Sequence, residues 1–267
     1  NEAAGAVEAL ARQFIGLGLE PDDVVVVQLG NTVEAYLVML ALMRAHLIAC
    51  PVPPLWREYE LTRALPQVAP RAIITARRIG GQAHAEMMRV VASKVMSVRH
   101  VMAIGTHLPD GVSSIEEALG GSGLLPGISL PARRRGSANH IATICFEQDG
   151  NICPQPVARS HNQWLAAGLC HIAASGIDHG ETILNPYFPT GLTALAGTFV
   201  PAIISASTLA LHHPLDLGGL AESLAKTGTV YTMLPPQVIE TLADAGKLKS
   251  PDLKLRRLGC VWPPCPP

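Results

Sequence analysis

The 267-residue chain is 48% hydrophobic and 15% charged, with a mean hydropathy of +0.28, which excludes intrinsic disorder because ample apolar surface offsets the entropy of ordering. That length suits one large α/β domain or two lobes. A net charge of −1 and a pI near 6.9 exclude the basic face that nucleic-acid binding requires, so small molecules or proteins are the expected partners.

The opening stretch, Asn1 to Ile15, is amphipathic and carries Glu2, Glu8 and Arg12, unlike a secretory leader with a basic start and an apolar run. With no initiating Met, residues are expected to precede Asn1. Val24-Val25-Val26-Val27 reads as a strand covered on both faces, and Asn31 with Glu34 is a capping-box pattern opening a helix through Arg44. A strand at Leu47 to Cys50, a helix at Glu58 to Val68, a strand at Arg71 to Thr75, a helix at Gln82 to Val95 and a strand at His100 to Ile104 follow. Gly105 to Ser137, with its Gly120-Gly121-Ser122-Gly123 run and Arg133-Arg134-Arg135, reads as a connection.

The pattern resumes with a strand at His140 to Phe146, a polar loop to Pro156 and a helix from about Ser160 to Ser175. Strands at Thr182 to Asn185, Thr208 to Leu211 and Val230 to Met233 then alternate with helices at Gly191 to Ser205, Leu217 to Thr227 and Gln237 to Ala245. Pro235-Pro236 falls at the start of the last helix, where a missing N–H costs little. The predicted fold class is α/β: two doubly wound, mostly parallel sheets flanked by helices. The lobes are expected at 1–105 and 140–267, with 106–139 between them. Thr182 to Leu215 lacks Asp, Glu, Lys and Arg, but Pro186, Pro189, Pro201 and Pro214 each remove a backbone donor that lipid could not replace, so no membrane span is expected.

Six cysteines (Cys50, Cys145, Cys153, Cys170, Cys260, Cys265) contain no C-x-x-C pair, so neither a zinc site nor a disulfide framework is signalled. Buried thiols in a reducing cytoplasm fit this usage. His212-His213 reads as a strand-end surface feature, because neighbours in a strand point to opposite faces. Trp56, Trp164 and Trp262 read as packing residues, and the arginine run as a solvated connection. There is no G-x-S-x-G elbow, H-E-x-x-H, Walker A or G-x-G-x-x-G fingerprint, which argues against an unrelated dinucleotide-binding domain.

The informative run is Ile144 to Asn162, I-C-F-E-Q-D-G-N-I-C-P-Q-P-V-A-R-S-H-N. It resembles the strand–loop–helix T-S-G-T-T-G-x-P-K-G-V-x-x-[ST]-H-x-N of AMP-forming acyl-CoA synthetases, in the adenylate-forming superfamily. Val157 and Ser160-His161 align the two, placing Pro154 on the family proline, Gln155 on its lysine and Pro156 on its glycine. Further resemblances follow in order: Gln28-Leu29-Gly30-Asn31 with Glu34, Cys50-Pro51-Val52, Arg57 with Glu60-Leu61, Pro186 to Leu192, where Pro189 replaces a histidine, and Val230 to Pro236. They cover nearly the whole chain.

The resemblance implies an N-terminal portion of an adenylation domain, ending before the Y-G-x-T-E motif and the lid. It places the ATP phosphate loop at Gln148, Asp149, Gly150, Asn151 and Gln155, the acyl pocket at Phe188, Pro189, Gly191, Leu234 and Pro235, and the adenine loop at Val261, Trp262 and Pro263. It assigns no catalytic residue and no metal ligand within this stretch. It implies ATP and Mg²⁺ as cofactors, CoA as acceptor, a small apolar carboxylic acid as substrate, and a cytoplasmic enzyme of fatty acid metabolism. Glu147 and Asp149 are expected to repel triphosphate, each by about 1 kcal/mol at 4 Å in water. A ligase and a catalytically silent adenylation-like domain both remain open at this point.

Overall fold

The computed structural model describes residues 2–121, 127–132, 137–147, 154–213 and 216–261. The chain forms two units, Asn1–His161 and Asn162–Pro267.

In the first unit the elements run α1 (Glu2–Gly16), β1 (Val24–Gln28), α2 (Val33–Arg44), β2 (Ile48–Pro51), α3 (Glu58–Ala64), β3 (Ala72–Ala76), β4 (Arg78–Ile79), β5 (Gln82–Ala83), α4 (His84–Lys94), β6 (His100–Ile104), β7 (Val112–Ser114), α5 (Glu116–Leu119), β8 (Ile141–Glu147) and β9 (Gln155–Ser160). The main sheet has the order β7-β6-β3-β1-β2-β8-β9, parallel except for the β8–β9 pair. Its centre is the valine run: Val25 and Val26 are fully buried, as a continuous β-branched strand covered on both faces must be. On one side Val26, Cys50, Ile73 and Val101 pack with Leu61 and Leu65 below and Met88 and Val91 of α4. The amphipathic start folds as α1, burying Leu10 and Phe14, with Glu8 paired to Arg44 of α2 at 2.7 Å.

Several expectations shift in this unit. Thr32, one residue after Asn31, takes the cap position of α2 without a side-chain bond, and the Asn31 side-chain oxygen accepts from Tyr36 Oη at 3.1 Å. The N3 half of such a box occurs instead at α3, where Glu60 Oε2 accepts from Arg57 N at 2.9 Å. The predicted helix at Gln82 begins as the second strand of the β4–β5 hairpin. The connection contains an edge strand, β7, on β6, although Val-Ser-Ser has little intrinsic pattern. The polar loop expected up to Pro156 ends earlier, because β9 pairs antiparallel with β8. Since β8 in turn hydrogen-bonds β2, both strands belong to the first sheet, and the first unit extends to His161, past the lobe start expected at residue 140.

The second unit carries α6 (His161–Ser175), β10 (Thr182–Asn185), α7 (Leu192–Ala194), a π-helical turn (Leu195–Phe199), α8 (Val200–Ile204), β11 (Thr208–Leu211), α9 (Leu217–Lys226), β12 (Tyr231–Leu234), α10 (Pro236–Asp244) and β13 (Arg257–Cys260). Its sheet is wholly parallel in the order β11-β10-β12-β13. The predicted helix over 191–205 is interrupted by the π turn, which ends two residues before Pro201, the residue whose missing N–H and ring disrupt a regular ladder. Leu184 and Leu234 of the sheet meet Leu220 and Leu224 of α9 and Leu242 of α10 on one face. On the other, Ile183, Tyr231 and Met233 meet Ile177 and Ala202. No helix among the described residues is long and apolar enough to cross a membrane.

Candidate functional site

In the first unit the site is built on the β8–β9 hairpin. β8 is parallel to β2, so its carboxyl end leaves the edge of the sheet at which ligands of open α/β sheets sit. Glu147 ends β8 and Gln155 begins β9, and the two are register partners; Cys145 pairs with Val157 and Thr143 with Arg159 on the same face. The segment 148–153 between them, with the expected phosphate-loop residues Gln148, Asp149, Gly150 and Asn151, lies outside the described residues. Pro154, the residue after it, accepts from Gln67 Nε2 at 3.2 Å. Beneath the hairpin, Phe146 packs its ring on Trp56 with centroids 5.4 Å apart.

The charge at this hairpin is not what single residues suggest. Glu147, expected to repel phosphate, forms an ion pair with the Arg159 guanidinium. The Arg159 side chain is 14% exposed and that of Glu147 48% exposed, so the cation is held by the strand while the carboxylate reaches solvent. Arg159 also lies against Cys145, whose thiol is pushed up by burial, with the Thr143 hydroxyl and Arg159 pulling the other way. Sequence reading missed Arg159; the signal available was its spacing of two residues from Val157 and four from Gln155, which places all three on one face once β9 is known to be a strand.

The hairpin hands directly to α6 at Ser160-His161, the helix start expected from the sequence. His161 N donates to His140 O at 3.2 Å, and His140 Nε2 meets Asp22 Oδ1 at 2.6 Å. The His161 imidazole is held below the ordinary histidine range, first by burial and then by the neighbouring His140 and His46.

In the second unit the expected acyl-pocket residues share one edge. β10 and β12 are adjacent parallel strands, so Pro186 to Gly191 and Leu234-Pro235 both leave the carboxyl edge of the sheet, and Val261 joins them because its N–H donates to Leu234 O at 3.0 Å. Asn185 shapes the exit: its Oδ1 accepts from Tyr187 N at 3.0 Å and its Nδ2 donates to Tyr187 O at 3.1 Å. Phe188 follows, edge-on to His213 with centroids 5.5 Å apart. Pro189 is buried, Gly191 precedes α7, and Pro235 caps α10. The Tyr187 hydroxyl is buried without a hydrogen-bond partner among the described residues, and burial, with Cys260 nearby, raises its pKa.

Trp262 and Pro263, expected in the adenine loop, lie outside the described residues, as do Arg133-Arg134-Arg135. His212 is buried rather than a surface feature, because its Nδ1 bonds Ser223 Oγ of α9 at 3.0 Å. Cys50 and Cys145 are the buried thiols expected, whereas Cys170 and Cys260 are exposed. Among the described residues no group of three or more His, Cys, Asp or Glu is placed to hold a metal ion. Glu147, the described residue that ends β8 before the loop, is engaged by Arg159.

Comparison with known proteins agrees with this architecture. The chain is similar to triostin synthetase I of Streptomyces triostinicus, 24% identical over 256 residues, covering 94% of this chain and 45% of that protein. It is similar to 2-hydroxy-7-methoxy-5-methyl-1-naphthoate–CoA ligase of Streptomyces carzinostaticus, 26% identical over 208 residues, covering 75% of this chain and 37% of the ligase. The fold matches acetoacetyl-CoA synthetase from Streptomyces lividans with a TM-score of 0.80 at 17% identity, over 96% of this chain and 41% of that one. The chain thus spans less than half the length of each of these relatives. The AMP-binding enzyme family matches residues 1–267, and the chain belongs to that family of adenylate-forming ligases.

Proposed function

We propose that the chain is the N-terminal part of an acid–thiol ligase that, in the full-length protein, uses ATP to convert an apolar carboxylic acid to its acyl adenylate and then to a thioester. The observation that carries this reading is the β8–β9 hairpin running into α6 at Ser160-His161, at the carboxyl edge of a parallel sheet in an adenylate-forming family member. On this reading the ATP phosphates lie at the hairpin mouth, between Glu147 and Gln155. The acid lies at the edge formed by Phe188, Pro189, Gly191, Leu234 and Pro235, and Val261 begins the adenine loop. These acid-side residues carry no charge, which favours an apolar acid. A relative named for a naphthoate supports a bulky, ring-bearing acid over a short polar one. ATP with Mg²⁺ would supply the activated phosphoanhydride and CoA the acceptor thiol; this chain's residues bind and orient.

A second reading, a catalytically silent adenylation-like domain that binds a ligand or a protein, is favoured by one observation. Gln155 stands where family members carry the lysine that neutralises triphosphate charge. ATP–pyrophosphate exchange by the full-length protein across aliphatic, alicyclic and aromatic acids separates the two. Exchange with an apolar acid is expected; no exchange with any acid, together with no calorimetric ATP binding, would exclude the ligase.

A further inference from the structure

We propose that Arg159 is the polyphosphate-binding cation of this chain, standing in for the lysine replaced by Gln155, and that Glu147 occupies it when no nucleotide is bound. The inference rests on reading the β8–β9 hairpin as the phosphate-loop position.

Three observations carry it. First, Glu147 is the register partner of Gln155, so the guanidinium that bonds Glu147 reaches toward the rung where family members place their lysine. A long side chain on the same strand face, starting further down the strand, thereby delivers a cation to the hairpin mouth. Second, the Arg159 side chain is largely buried, its Nη1 included, while Glu147 is about half exposed. The carboxylate can leave for water, whereas the guanidinium is held in place and need not move far to meet a new anion. Third, a planar guanidinium offers five N–H donors in a fork that suits a phosphate as well as a carboxylate. A triphosphate carries several negative charges against one on Glu147, so charge favours the exchange of partners. The Cys145 thiol beside Arg159 is buried and does not compete as an anion.

The arrangement makes Glu147 a self-blocking contact and Arg159 a binding residue for the polyphosphate. Its removal should change affinity for polyphosphates and leave a ligand with one phosphate unaffected. A merely structural ion pair would behave differently: loss of either partner would loosen the hairpin, and all ligands would weaken together.

The test is calorimetric titration of the chain with tripolyphosphate, ATP and AMP at low ionic strength. Glu147→Gln is expected to tighten tripolyphosphate and ATP roughly fivefold, the effect of removing one competing charge at the site. Arg159→Gln should weaken both at least about tenfold, and Arg159→Lys should recover part of that loss. AMP affinity should be unchanged throughout. Weakening by both neutral substitutions, equal shifts for ATP and AMP, or no binding of tripolyphosphate by the unaltered chain would each overturn the assignment. Arg159→Lys guards against a folding defect, since it preserves a charge pair with Glu147. The proposed function fails separately: opposite tripolyphosphate shifts without pyrophosphate exchange for any acid would leave the cation assignment standing and exclude the ligase. Exchange with an Arg159→Gln enzyme whose KM for ATP is unaltered would do the reverse.

Discussion

At the scale of single residues, His161 and Gly197 carry the sharpest consequences. His161 begins α6 beside His140 and His46, with Asp22 against His140, and its pKa is held below the ordinary 6.5 chiefly by burial. The unfolded chain therefore takes up the proton at higher pH than the folded one, so folding stability decreases as pH falls from about 6.5 and levels off below the folded value. His161→Asn should flatten this acid-side slope in denaturant titrations between pH 7 and 5; His171, also lowered by burial, retains part of it. An unchanged slope would remove His161 from the acid response. Gly197 lies in the π turn, and a Cβ there would overlap Met233 Sδ, while Gly259 closes the other side of Met233, where a Cβ would lie 2.9 Å from its Cγ. Helix propensity alone would favour Gly197→Ala by about 1 kcal/mol, but overpacking a core site costs about 1–3 kcal/mol, so net destabilisation is expected. Met233→Ala in the same chain should relieve the overlap, visible as a favourable coupling in a double-mutant cycle.

At the scale of elements, caps and strand pairing separate what local sequence encodes from what it does not. α9 is capped by Asp216, whose Oδ1 accepts from Gly219 N at 2.6 Å and whose Oδ2 lies 3.8 Å from His212 Nε2. Asp216→Ala should cost about 1 kcal/mol and Asp216→Asn much less, read as a shift in denaturant midpoint at constant slope. A loss as large for Asn as for Ala would assign the effect to the His212 contact instead of the cap. β1 was legible because a run of β-branched residues admits one reading, and α10 because Pro235-Pro236 marks its start. β9 was not: Gln-Pro-Val-Ala-Arg-Ser has weak strand propensity and becomes a strand only by pairing with β8. The Asn31 pattern set the cap one residue early: Thr32 takes that position, and Asn31 Oδ1 accepts from Tyr36 Oη.

At the scale of the whole molecule, two sheets with separate cores predict separate responses to core damage. Ile73→Ala removes a fully buried side chain from the first sheet and Leu224→Ala one from the helix layer of the second; each should cost about 2–5 kcal/mol. Hydrogen exchange should speed mainly within 2–161 for the first and within 162–261 for the second, and equal acceleration in both units would show that they unfold as one. By itself the sequence determined the α/β class, most strands and the family, because apolar period and ordered motifs are properties of neighbouring residues. It also placed Ser160-His161 at a helix start and marked Gln155 as departing from the family pattern. Only the tertiary structure decided that β8 and β9 complete the first sheet, that Pro186–Gly191, Leu234-Pro235 and Val261 share one edge, and that Glu147 meets Arg159. Each of these depends on strand register, which sets contacts between residues far apart in the chain and leaves no trace in local composition.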